Sequence, residues 1–163
     1  MEEHHGPPEW AVTLEASGFA HALRDSIWLY PAANLGHILG LVLLAGTIIV
    51  LDLRILGLGR AIDAAALSRF VTPLAAAGFV IQLISGGLMF TADARAIAGN
   101  YVFWIKMGLL ALVLANAILF RWLWNPQLGQ WDRTASPVGR AQAAISIALW
   151  LGVALAGRLI AYF

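Results

Sequence analysis

The chain of 163 residues contains no cysteine. Disulfide bonds, thiolate catalysis and zinc or iron–sulfur sites built on cysteine are therefore excluded. Charge is also scarce, because only 12% of the residues are Asp, Glu, Lys or Arg and the net charge is +1. A charge balance so close to neutral gives no reason to expect a nucleic-acid partner.

Recognisable catalytic motifs are missing as well. The apolar part of the chain holds no pair of carboxylates, no Ser–His–acid arrangement, no HExxH motif and no glycine-rich phosphate loop. Internal repeats and interrupted apolar segments, which are typical of transporters, are not evident either. The sequence therefore predicts a protein that is not an enzyme on its own.

Apolar sequence is what the chain has in abundance, since 61% of its residues are hydrophobic. A hydrocarbon core about 30 Å thick is crossed by roughly 20 helical residues, and lipid requires every backbone amide to be paired within its own segment. The predicted fold is an all-α integral membrane protein with a four-transmembrane-helix bundle over residues 31–163. The four spans are expected at about 31–53, 70–92, 102–124 and 141–162.

Residues 1–30 are expected to form a separate outer-side segment. An interfacial amphipathic helix is predicted within it over about 9–27, because apolar residues recur there at helical spacing. Those residues are Val12, Ala16, Phe19, Leu23 and Ile27. Ahead of this helix, His4 and His5 form a weak candidate for a metal-binding tail.

Basic residues are distributed unevenly between the two predicted ends of the bundle. Cytoplasmic loops of membrane proteins carry an excess of Lys and Arg. The sequence therefore predicts a bacterial inner-membrane protein with both termini and the 93–101 loop on the periplasmic side. Six basic residues lie in or beside the first and third connections (Arg54, Arg60, Arg69, Arg121, Arg133 and Arg140), against Arg24 and Arg95 on the opposite side.

Polar side chains within the spans indicate where function is to be sought, because a charge in mid-span costs roughly 2.5–3.5 kcal/mol. Counting residues inward from the predicted ends places one polar layer in the outer third of the membrane. In the inner half only Asn116 is a comparable candidate. The layer consists of His37 in the first span, Gln82, Ser85 and Met89 in the second, Lys106 and Met107 in the third, and Arg158 in the fourth.

The side chains of this outer layer suit a redox-active metal. Imidazole and thioether groups are ligands for Cu(I) or haem iron. His37 is the predicted ligand, and the second ligand would be His21, Met89, Met107 or His37 of a second protomer. Haem b or copper is therefore the predicted cofactor.

The remaining members of the outer layer are expected to contact that cofactor. Lys106 and Arg158 would meet an anionic group such as the haem propionates, and Gln82 and Ser85 would add hydrogen bonds. Simpler roles are open for each residue: His37 as a hydrogen-bonding residue of the bundle, the methionines as packing groups, and the two cations as side chains that reach the lipid headgroups.

Other residues are expected to be structural. Gly36 and Gly40 form a small-xxx-small pair that would let a neighbouring helix approach closely. Asp52 and Arg54, at the predicted inner end of the first span, are expected to form an interfacial ion pair or an orientation signal. The connection 125–139 has an ordinary loop composition.

Residues 28–58, 101–120 and 139–163 resemble a bacterial family of four-span membrane proteins with no established activity, the DUF6644 type. The similarity rests on His-x-x-Gly, Asp-Leu-Arg, Lys-Met and Gly-Arg-Leu-Ile-Ala-Tyr elements. It implies the four-span fold and gives weight to His37, Asp52, Arg54, Lys106 and Arg158. The third-span pattern of Tyr101, Lys106 and Asn116 is similar, more distantly, to the copper-resistance D family, which implies copper passage across the inner membrane.

Three functions remain open at this point. The first is the redox-metal protein, and the second is an accessory or structural subunit of a larger membrane complex with no cofactor of its own. The third is a quinone- or lipid-binding protein that uses Lys106 and Arg158. The expected partners are the lipid bilayer and either further copies of the chain or a larger membrane complex.

Overall fold

The structure is a computed structural model that describes residues 7–163, so the histidine tail at residues 4 and 5 lies outside the described residues. These residues are helical almost throughout and contain no strand from residue 7 onward. Two short helices precede four long ones, and two further short helices lie in the connections. In chain order they are α1 (Glu9–Glu15), α2 (Gly18–Asp25), α3 (Leu29–Leu56), α4 (Ala64–Ala92), α5 (Ala94–Gly99), α6 (Tyr101–Trp124), α7 (Trp131–Thr134) and α8 (Pro137–Leu159).

The four predicted apolar stretches coincide with the four long helices, and each is long and apolar enough to cross a membrane. The predicted all-α architecture is therefore confirmed. Two of the helices begin earlier than their hydropathy indicates. Asp63 accepts a hydrogen bond from the backbone N of Ala66 at 2.7 Å, and Ser136 accepts one from Gly139 at 3.5 Å. These polar caps, rather than the first apolar residue, set the helix starts.

The long helices pack in a defined order. The helix α4 packs along α3, the second half of α3 also packs against α8, and α8 packs along α6. Buried apolar residues lie in two layers of this bundle. One layer, around Ile55, Phe120 and Trp131, lies near the end of the bundle where α3 ends, and the other, around Val113 and Trp150, lies in the middle.

The contact between α3 and α4 is made by glycine. A methyl group at Gly40 would lie 3.1 Å from the carbonyl oxygen of Gly78, and one at Gly78 would lie 2.5 Å from the backbone N of Leu44. The predicted close approach at Gly40 is therefore confirmed, whereas Gly36 makes only ordinary contact, 3.8 Å from Ser85 Cβ. A π-helical turn in α3, Val42–Gly46, includes Leu44 and so lies directly at this contact.

The N-terminal segment differs from the prediction, because two helices replace the single one expected over 9–27. Ser17 lies between the two helices and caps α2 by accepting a hydrogen bond from Ala20 N at 3.2 Å. Of the predicted stripe only Leu23 is buried, and the other buried residues of this segment lie off the stripe. Ala11 and Ala20 are fully buried, whereas Ile27 is 79% exposed.

Polar contacts hold the N-terminal helices against one end of the bundle. Arg24 Nη1 donates to the carbonyl oxygen of Ala92 at 2.6 Å, where the cation also complements the C-terminal end of α4. The Tyr30 hydroxyl donates to Asp93 Oδ2 at 2.8 Å, and the backbone N of Arg95 donates to Glu15 Oε2 at 2.8 Å. The N-terminal segment and the connection that contains α5 therefore lie at the same end.

We expect Gly78→Ala to destabilise the fold by about 1–3 kcal/mol, the usual range for overpacking a tight contact. The added methyl would meet backbone on α3 at 2.5 Å, and backbone cannot move aside as a flexible side chain can. Thermal unfolding in detergent, followed by circular dichroism, would measure the change.

Gly108→Ala is the matched control, because a methyl there has no atom of the described chain within 4 Å. Alanine also has the higher helix propensity, so the control should be neutral or stabilising by up to about 1 kcal/mol. Equal unfolding temperatures for the two variants would contradict the assignment of Gly78 as the contact that sets helix spacing.

Candidate functional site

In the half of the bundle next to α5, His37 of α3 lies directly against α4. The His37 Nδ1 atom lies 3.0 Å from Ser85 Oγ. The single hydroxyl proton of Ser85 is already donated to the carbonyl oxygen of Ile81, at 2.6 Å. This arrangement favours the tautomer in which Nδ1 donates to Ser85. In the neutral imidazole that tautomer has a free lone pair on Nε2.

Two further residues of α4 hold His37 in place. Gly86 lets the ring lie against the helix, because a methyl group there would be 3.1 Å from His37 Cε1. Gln82 Nε2 donates to the backbone carbonyl oxygen of His37 at 2.8 Å. Gln82 and Ser85, both predicted to contact a cofactor, thus bind His37 itself, Gln82 at its backbone and Ser85 at its imidazole.

Lys106 approaches the same region from α6. Its side chain is half-buried and its Nζ packs 3.7 Å from where a methyl group on Gly157 of α8 would lie. The side chain of Lys106 therefore lies against α8, and no hydrogen bond joins it to His37 within residues 7–163.

Arg158 takes a different direction from the one predicted. Its side chain is exposed, its Nη2 donates to the Tyr162 hydroxyl at 2.7 Å, and its Cζ lies 5.0 Å from the centre of the Tyr162 ring. No hydrogen bond joins it to His37 or Lys106 within residues 7–163. Tyr162, four residues later, offers a hydroxyl acceptor and an aromatic face, and the guanidinium uses both.

The other predicted metal ligands are less closely associated with this site. His21 is exposed on α2, with Nδ1 3.4 Å from Arg24 Nη2, and a cation beside the imidazole opposes metal binding there. Met89 and Met107 are half-buried, and Met89 lies one turn beyond Ser85 on α4. Across the described residues there is no group of three or more His, Cys, Asp or Glu side chains that could hold a metal ion.

The opposite end of the bundle contains a polar network that sequence reasoning missed. Arg54 is only 3% exposed, and it donates from Nη1 and Nη2 to the two carboxylate oxygens of Asp132, at 3.1 and 2.6 Å. Its Nε donates to the carbonyl oxygen of Ile62 at 2.5 Å. The predicted ion pair between Asp52 and Arg54 is wrong, because residues two apart on a helix face different directions.

Asp52 lies instead at a cavity of about 90 Å³ that all four long helices line. The expectation that Asn116 is the sole polar candidate of the inner half is therefore wrong. The apolar stretch ends at residue 53 in the sequence, which places Asp52 at the boundary. Helix α3 in fact continues to Leu56, so Asp52 is a full turn inside it. The polar residues that line the cavity are Asp52, Thr72, Asn116, Arg121 and Ser146.

The connection between α6 and α8 closes the bundle at this end. Rather than an ordinary loop, it forms a 3-10 turn (Asn125–Gln130) followed by α7. Trp131 is 2% exposed and donates from Nε1 to the carbonyl oxygen of Ile55 at 3.0 Å. Gly139 makes room for it, because a methyl group there would lie 2.5 Å from Trp131 Cη2.

Comparisons with protein-family models, with curated proteins and with solved structures found no match. The functional argument therefore rests on the two polar regions described above.

We expect Arg54→Lys to lower the unfolding temperature in detergent. Lysine keeps the charge but cannot donate from a planar fork to both oxygens of Asp132 and also reach Ile62. Arg133→Lys, at an exposed position on α7, is the matched control and should leave the unfolding temperature unchanged. A wild-type unfolding temperature in Arg54→Lys would mean that the forked ion pair does not stabilise the bundle.

Proposed function

We propose that the chain is a small bacterial inner-membrane protein that binds a redox-active metal, haem b or copper, through His37. The observation that carries this proposal is the 3.0 Å contact between His37 Nδ1 and Ser85 Oγ, which favours the tautomer with Nε2 free to act as a ligand. Metal-bound histidines usually donate their other ring N–H to a neighbouring acceptor, which fixes the tautomer and the ring orientation. Ser85 is in the position of such an acceptor.

A second ligand would come from a neighbouring helix. Met89 and Met107 offer thioethers, which suit Cu(I) and haem iron. Lys106 would meet a haem propionate, while Arg158, which is bound to Tyr162, would have to leave that partner to do so. When bound, such a metal supplies one-electron redox chemistry.

Metal analysis and an optical spectrum of protein purified from a metal-replete host test the proposal. We expect stoichiometric copper, or a Soret band if the group is haem. His37→Ala should abolish the signal, and Ser85→Ala should weaken metal affinity about 10–100-fold, the usual effect of removing an orienting partner.

The matched control is His21→Ala, which removes an exposed histidine beside Arg24 and should retain the metal. A colourless, metal-free wild-type preparation of full stability would overturn the proposal. Loss of metal in His21→Ala but not in His37→Ala would show that the metal binds at His21 on α2 instead.

A quinone or lipid is a second candidate ligand for the same region. It is favoured by Lys106, which is half-buried and has no ion-pair partner in the described part of the chain. An ammonium in this position can donate to a quinone carbonyl or a lipid phosphate. Lys106→Ala would then lose a co-purified amphiphile while His37→Ala keeps it. An accessory role in a larger membrane complex remains a prediction without a specific contact in its favour.

We further propose that both termini and the α5 connection face the periplasm. The support for this orientation is the basic end of the bundle, where Arg54, Arg121 and Arg140 lie, since basic ends are retained in the cytoplasm. The N-terminal helices, by their contacts with Ala92 and Asp93, would then lie on the periplasmic face.

Single-cysteine labelling tests this orientation without background, because the chain has no cysteine of its own. In spheroplasts, a membrane-impermeant maleimide should label Arg95→Cys directly and should label Arg133→Cys only after permeabilisation. Both positions are exposed, so a difference reports membrane side rather than burial. The reverse pattern would show the opposite topology.

A further inference from the structure

Asp52 and Ser146 are two buried polar side chains that line the same cavity. Asp52 is 6% exposed and Ser146 is 2% exposed. Neither Asp52 Oδ2 nor Ser146 Oγ makes a hydrogen bond of normal geometry within residues 7–163, and Ser146 is a weak hydrogen-bonding neighbour of Asp52 rather than a full partner. An ionised carboxylate whose oxygen is unpaired in apolar surroundings is costly, so this group requires a proton, water or a cation.

We propose that Asp52 is a proton-binding carboxyl group in a hydrated cavity inside the bundle. The cavity measures about 90 Å³, which is room for several water molecules, since each needs about 10–15 Å³ of such space. Water there would hydrogen bond to Asp52, Ser146 and the amide of Asn116, and so would satisfy the groups that have no protein partner.

The lining of the cavity favours a proton over a metal cation. One carboxylate and a few neutral oxygens fall short of the 6–8 oxygen ligands that Ca²⁺ takes. Arg121 of α6 also lines the cavity, where it donates to Ser68 and Thr72 of α4. Asn116 donates its amide N–H to the carbonyl oxygen of Gln142 at 3.1 Å, which leaves its amide oxygen for water.

No other titratable side chain shares the cavity with Asp52 and Arg121 in the described chain. Helix α4 contributes the hydroxyl of Thr72, and α8 contributes that of Ser146. A proton taken up or released inside this cavity therefore resides on Asp52. Along α3, Asp52 is fifteen residues from His37, or about 22 Å at 1.5 Å per residue, so this site does not rest on the proposed metal site.

Infrared difference spectroscopy of the full-length protein in lipid, with stepwise change of pH, tests the proposal. We expect the carbonyl stretching band of a protonated carboxyl group to disappear as the pH is raised. Asp52→Asn, which preserves shape, should lack the band entirely. Asp25→Asn is the matched control and should keep the band, because Asp25 is an exposed carboxylate on α2 that neither lines the cavity nor pairs with Arg54.

Ser146→Ala provides a second measurement that is independent of the aspartate itself. It should keep the band but shift its frequency, because the hydroxyl is part of the hydrogen-bonding environment of the carboxyl group. Circular dichroism of each variant would verify folding. If wild type and a folded Asp52→Asn give the same spectra at every pH, the proposal is overturned. The proposal is also overturned if replacing potassium with sodium at fixed pH changes the band, because that result would identify a metal-cation site.

Discussion

Both polar regions of the molecule depend on the backbone contact between α3 and α4. A side chain at Gly78 would force the helices apart, since even a methyl group would meet Leu44 N at 2.5 Å. At a larger separation the His37–Ser85 hydrogen bond, 3.0 Å long, could not form. The residues of α4 that line the Asp52 cavity, Val71, Thr72 and Ala75, would also move away from Asp52. Lipid offers these polar groups no other hydrogen-bond partner, so their pairing requires the short separation of α3 and α4.

The sequence predicted the four long helices because hydropathy alone decides where a helix can cross a membrane. It did not predict their ends, which depend on single hydrogen bonds at Asp63 and Ser136 and on the left-handed backbone of Gly57, with φ of +108°. The observed helix end differs from the predicted one by only a few residues, but this difference changes the interpretation of Asp52. An acid at a helix end is solvated and unremarkable, whereas the same acid one turn inside requires a partner.

The candidate sites were predictable only in part. Counting residues from the helix ends correctly associated His37, Ser85 and Gln82, because α3 and α4 are sequential antiparallel helices. It could not show that Gln82 binds the backbone of His37 or that Arg158 turns to Tyr162, since these choices depend on side-chain direction. The Arg54–Asp132 pair joins residues 78 apart, through a connection whose composition indicates nothing more than a loop.

The order in which the helices pack has a consequence for biogenesis. Helices α3 and α4 form one antiparallel hairpin and α6 and α8 form another, and α3 and α8 then join the two. The first hairpin, held by glycine, can therefore be completed before the ribosome has synthesised the second. Asp132 and Trp131 reach Arg54 and Ile55 only after the second hairpin has arrived. A nascent chain stalled between the hairpins would thus expose an uncompensated guanidinium, a feature by which membrane quality control can distinguish unfinished molecules from mature ones.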